Sequence, residues 1–108
     1  MNEIISQKIR QYLVHSYLYY KLNESIISDK DFDLICKEIL DFLESSTDEY
    51  FLPYRDLLTS SISNDASGFT IRKFPAEIIS SAMHLLYQRN YKESIPFDSF
   101  LARFGFRQ

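Results

Sequence analysis

Tryptophan is absent from this chain, cysteine occurs once, glycine twice and proline three times. So few backbone breakers exclude collagen-like and linker-rich architectures and leave long stretches free to be helical. One cysteine excludes an internal disulfide and the disulfide-stapled class of small secreted folds. Cys36 falls in an apolar helical stripe, where a thiol packs as a small hydrophobe. Only two histidines, His15 and His84, are present. They sit on different helical segments, which is poor material for a zinc site. No apolar run approaches the roughly 20 residues a membrane span needs. Met1 to Lys8 lacks the basic start and apolar core of a secretory signal. These absences predict a cytoplasmic location, no metal and no membrane partner.

What remains is aromatic and charged. Nine Phe and eight Tyr accompany 25% charged residues, with a formal net charge of −3 over 108 residues. A chain of this length forms one domain, residues 1–108, which at this size buries roughly 65% of the surface exposed when unfolded. The charge is unevenly laid out. Residues 23 to 49 carry nine acids against two bases, and residues 66 to 108 carry six bases against three acids.

Apolar residues at Ile5, Ile9, Tyr12, Leu13, Tyr17 and Tyr20 return at helix spacing, so a first helix is predicted over about Glu3 to Leu22, closed by Asn23-Glu24-Ser25. Ser28 can cap a second helix by accepting from the amide three residues on, with Asp31 as the acidic partner of a near capping box. Phe32, Ile35, Cys36, Ile39 and Leu43 form its stripe, which ends near Glu44. Two amphipathic helices joined this closely favour an antiparallel hairpin over residues 1–44.

Residues 45–108 add shorter helices. Pro53 suits the start of a third, carrying Tyr54, Leu57, Leu58 and Ile62 inward. Residues 63–68 read as a loop, and Phe69 to Phe74 as one short extended segment without a strand partner. Pro75 opens a helix with Ile78, Ile79, Ala82, Met83, Leu85 and Leu86, ending near Asn90. Pro96 opens the last, with Phe97, Phe100, Leu101 and Phe104 inward and Gly105 at the position of a left-handed cap. The expectation is an all-α compact bundle of about five helices.

The chemistry-bearing feature is Tyr19-Tyr20 followed by Ser28-Asp29-Lys30-Asp31-Phe32-Asp33. Asp29 and Asp33, four apart, share a helix face. Aromatic faces attract flat cations by about 0.5–2 kcal/mol, and carboxylates accept from ribose hydroxyls. The purely structural alternative is that the tyrosines are interface rings and the acids offset the helix dipole for about 0.3–1 kcal/mol each.

Tyr17-Leu18-Tyr19-Tyr20, Ile27-Ser28-Asp29-Lys30-Asp31-Phe32-Asp33 and the run Glu38 to Glu44 resemble the N-terminal helical segment of NAD-dependent bacterial DNA ligases, over residues 9–44 only. That resemblance implies a lid over the nicotinamide mononucleotide half of NAD. Tyr19 would contact the ring, Tyr20 would stand where the family has Tyr or His, and Asp29 and Asp33 would approach the ribose and nicotinamide. Phe32 stands where the family has Tyr, and the missing hydroxyl removes a hydrogen bond worth about 0.5–1.5 kcal/mol.

Catalysis is not expected. Ligase adenylation needs Lys-x-Asp-Gly, and neither Gly68 nor Gly105 has that context. No Gly-x-Ser-x-Gly elbow, phosphate-binding glycine loop or His-Glu-x-x-His occurs. The leading expectation is a small non-catalytic helical protein that binds a protein partner, a phage-encoded modulator of a host nucleic-acid or defence enzyme. The alternative is a module binding NAD or nicotinamide mononucleotide through Tyr19, Tyr20, Asp29, Phe32 and Asp33, with no other cofactor. A further alternative is a nucleic-acid-binding accessory protein using Arg72, Lys73, Arg89, Lys92, Arg103 and Arg107.

Overall fold

The structure, a computed structural model, describes residues 2–24, 26–45, 54, 57–58, 61, 71 and 73–105. Among these the regular structure is entirely helical: α1 (Asn2–Lys21), α2 (Asp29–Ser45), α3 (Ala76–Leu86) and α4 (Phe97–Arg103). A π-helical turn, Tyr87–Tyr91, runs on directly from α3. Four α-helices are therefore seen, against the five expected.

The missing count falls on residues 53–62. Within that stretch only Tyr54, Leu57, Leu58 and Ser61 are described; Leu57, Leu58 and Ser61 are helical, and the Leu58 amide donates to Tyr54 O at 2.8 Å. Pro53, Ile62 and the loop at 63–68 lie outside the described residues. So does most of the expected extended segment, of which Ile71, Lys73 and Phe74 are described as irregular, with Ile71 and Phe74 buried.

Helix ends follow local chemistry. Asn23 adopts φ 56° and the Glu24 amide donates to Leu18 O at 2.9 Å. Asparagine supplies the left-handed residue that ends α1, and the bond that follows it reaches back six residues to the last full turn. Ser28 Oγ accepts the Asp31 amide at 3.0 Å, satisfying one orphan donor of α2. Asp29 and Asp31 stand in its first turn, where the helix dipole favours them. Pro75 precedes α3 and Pro96 precedes α4. Gly105 closes α4 at φ 86°, with its amide on Ala102 O.

α1 packs against both α2 and α3, and its burial reflects that central position. Ile5, Ile9, Tyr12, Leu13 and Tyr17 are buried as its spacing predicts, Ser16 is buried on the same face, and so are Val14 and Leu18, which a one-sided helix would leave outside. Cys36 and Ile39 are the buried part of α2, with Phe32, Ile35, Phe42 and Leu43 half-buried. Ile78, Ala82, Met83 and Leu86 carry α3 into the core, and Phe100 carries α4. Lys8 on α1 donates to Glu38 on α2 at 3.0 Å. Tyr12 stacks on Phe32 with ring centroids 6.0 Å apart. The Tyr17 ring meets Phe74 edge-on at 5.2 Å.

Candidate functional site

Consecutive residues on a helix point about 100° apart, so Tyr19 and Tyr20 cannot both face α2. Tyr20 is half-buried, whereas Tyr19 remains 43% exposed. Their rings meet edge-on with centroids 4.8 Å apart. Burial is the main reason the Tyr20 hydroxyl holds its proton above the usual tyrosine range, and the nearby Tyr19, Cys36, Asp33 and Asp29 add to it. Asp29 and Asp33 are exposed on α2. The end of α1 and the start of α2 thus bring Tyr20 within electrostatic reach of Asp29 and Asp33, with the Tyr19 ring edge-on against it.

Phe32, on the same helix, has its half-buried ring stacked on Tyr12 and packed against the core, which ties α2 to α1.

The basic residues divide. Lys73, Arg89, Lys92 and Arg103 are exposed, while Arg72 and Arg107 lie outside the described residues. Lys73 precedes α3, whereas Arg89 lies in the π-helical turn at the other end of that helix and Lys92 follows it. The Arg103 guanidinium stands 5.7 Å from the centre of the Tyr91 ring, a cation–π arrangement.

Two relationships were not legible from spacing. Tyr91 donates to Glu24 Oε2 at 3.3 Å, tying the α1–α2 connection to the π turn. Burial, then the Glu24 charge and this bond, hold the Tyr91 proton on, while Arg103 opposes them. His15, half-buried on α1, is held below its ordinary range by burial and secondarily by the Arg89 charge. The Tyr91–Glu24 bond and the reach of the Arg89 charge to His15 both join segments far apart in sequence, and neither helix period nor a motif encodes them. His84 sits elsewhere: its Nδ1 lies 2.8 Å from Ser80 O, so Nδ1 carries the proton there.

Among the described residues no group of three or more His, Cys, Asp or Glu side chains gathers as metal ligands, and no helix is long and apolar enough to cross a membrane. Comparison with protein-family models, curated proteins and solved structures returns no match to this chain.

Proposed function

We propose that this protein is a non-catalytic binding module whose recognition surface is the edge formed by Tyr19, Tyr20, Asp29 and Asp33, with α1 and α2 running as an antiparallel hairpin. The observation that carries this reading is the placement of both acids within electrostatic reach of Tyr20, beside an exposed Tyr19 ring. Negative charge next to an aromatic face suits a cationic group.

The favoured partner is a protein presenting an arginine or lysine side chain, including a nucleic-acid or defence enzyme of the kind the ligase resemblance suggests. Exposure favours a macromolecule over a small ligand. Sites for small ligands bury about 70–90% of them, and here Tyr19, Asp29 and Asp33 all stand open to solvent. Affinity purification of the tagged chain from its own cells, in parallel with Tyr19→Ala and with Asp29→Lys joined to Asp33→Lys, tests this. A partner retained by the unaltered chain and lost by both variants supports the reading. A partner retained equally by all three removes it.

The same juxtaposition supports a second reading, recognition of the nicotinamide ring of NAD or nicotinamide mononucleotide. Calorimetry with both nucleotides separates the two: a saturable signal abolished by Tyr19→Ala supports this reading, and silence at about millimolar ligand, an affinity weaker than about −4 kcal/mol, removes it.

A further inference from the structure

The connection between α1 and α2 is held at Glu24 from two directions. The Glu24 amide, one residue past the left-handed Asn23, donates to Leu18 O at 2.9 Å, and the Glu24 carboxylate accepts the Tyr91 hydroxyl at 3.3 Å. The first bond is local. The second comes from a residue 67 positions away. Four residues after Glu24 stands Ser28, the cap of α2, and Asp29 follows it as the first residue of that helix.

Tyr91 is itself fixed in place. Its carbonyl accepts the Ser94 amide at 3.0 Å and the Ile95 amide at 3.2 Å, which pins its backbone at the end of the π turn. Its ring packs on Phe100 of α4 at 5.0 Å and on Phe104, at the end of that helix, at 5.9 Å between centroids, with the Arg103 guanidinium 5.7 Å from its centre. Phe100 is fully buried, so this docking is anchored in the core. The docking of α4 thus sets where the Tyr91 ring lies, and the hydroxyl of that ring holds the segment that leads into α2.

We infer that Tyr91 is a positioning residue for the proposed recognition edge: packed on α4, it holds Glu24, and with it the α1–α2 connection, where Asp29 and Asp33 stay beside Tyr20. This inference rests on the reading of Tyr19, Tyr20, Asp29 and Asp33 as that edge, and it makes α4 the edge's remote support. An ordinary stabilising bond would behave differently. The charges that act on the Tyr20 hydroxyl are Tyr19, Cys36, Asp33 and Asp29, and Glu24 and Tyr91 are not among them. Breaking the Tyr91–Glu24 bond therefore reaches Tyr20 only by moving the elements between.

Tyrosine-selective NMR of the full chain tests this with Tyr91→Phe, Glu24→Ala and the two combined. Tyr91→Phe keeps the ring on α4 and deletes only the hydroxyl. Each single substitution should move the Tyr20 titration midpoint down toward 10.0 as the acids draw away, and the combination should move it no further, since both delete the same bond. Glu24→Gln keeps a carbonyl acceptor for the Tyr91 hydroxyl and should leave Tyr20 near its unaltered midpoint. At neutral pH the Glu24 amide should exchange with solvent about two- to tenfold faster in Tyr91→Phe, the equivalent of one hydrogen bond, while the buried amides of α1 keep their rates.

A Tyr20 midpoint that stays put in Tyr91→Phe overturns the positioning role, even where the urea midpoint falls, because the bond then only stabilises. So does a combined shift equal to the sum of the single ones. The recognition reading fails on a different observation, a partner retained by Tyr19→Ala and by Asp29→Lys with Asp33→Lys, so the two failures are read separately.

Discussion

The Tyr12 hydroxyl donates to Ser61 Oγ at 2.8 Å across 49 residues of sequence. The direction follows from proton count: Ser61 gives its own proton to Leu57 O at 2.7 Å, so its oxygen can only accept from Tyr12. Tyr12→Phe removes one buried bond and leaves Ser61 donating to Leu57. Stability should fall by about 0.5–1.5 kcal/mol, read as a lowered urea midpoint with unchanged slope. An unchanged midpoint would show that the bond contributes nothing.

Ser16 presents the opposite case. Its side chain is buried in the middle of α1 with no hydrogen-bond partner for its hydroxyl. Burying an unpaired hydroxyl costs about 1–3 kcal/mol by mutational measures, and alanine is the better helix former. Ser16→Ala should therefore raise stability by about 1 kcal/mol, in contrast to the usual cost of a core substitution. Thermal and urea unfolding check it, and destabilisation would reveal a partner that the geometry does not show.

His15 makes stability depend on mildly acidic pH. Burial first, and Arg89 second, depress it below the ordinary value of 6.5. The unfolded chain binds this proton more readily, so the neutral-form contribution is complete above pH 6.5 and is lost as pH falls toward the folded value. His15→Gln should flatten that slope. Arg89→Gln should raise the His15 titration midpoint only part of the way to 6.5, because the larger cause, burial, remains. Imidazole NMR resonances of His15 report both.

Tyr20 reports on the proposed recognition edge. Asp29→Asn and Asp33→Asn should each lower its titration midpoint while leaving it above the ordinary value of 10.0, since burial is the leading cause. If tyrosine-selective NMR shows no movement in either variant, the rings and acids are not neighbours. Tyr17, Tyr54 and Tyr91 are also held above 10.0. The folded chain therefore keeps protons the unfolded chain releases, and stability should decline as pH rises past about 10, where free tyrosine ionises.

Features encoded locally were legible in the sequence. The Ser28 cap, the left-handed Gly105, the prolines ahead of α3 and α4 and the apolar stripe of α2 each depend on residues within a turn or two, so spacing reveals them. Val14 and Leu18 were missed because a periodic pattern assumes one buried face, and α1 has neighbours on two sides; Ser16, one turn from Tyr12, was missed because only apolar residues mark the stripe. The continuation past Leu86 was read as a plain helix to Asn90, since a wide turn has no distinguishing composition. Tyr19, Tyr20, Asp29, Phe32 and Asp33 were singled out by their spacing, whereas the stacking of Phe32 on Tyr12 was not legible, because it depends on how two helices meet.

The π turn at Tyr87–Tyr91 fixes the angular phase of everything after it. Such turns correspond to one residue more than an ordinary helix would hold. Excising a single residue there would let the segment relax to regular winding with the phase of the remainder nearly kept, because the wide turn has already absorbed the extra residue. What would change is the turn itself: the Tyr87 hydroxyl that donates to Ile95 O at 2.7 Å and the Tyr91 hydroxyl that donates to Glu24 Oε2 at 3.3 Å issue from its two ends. A single codon's loss at this point would therefore be forgiven by the carboxy-terminal helix and felt by those two hydroxyls, whereas the same loss within α3 would turn every later residue by about 100°.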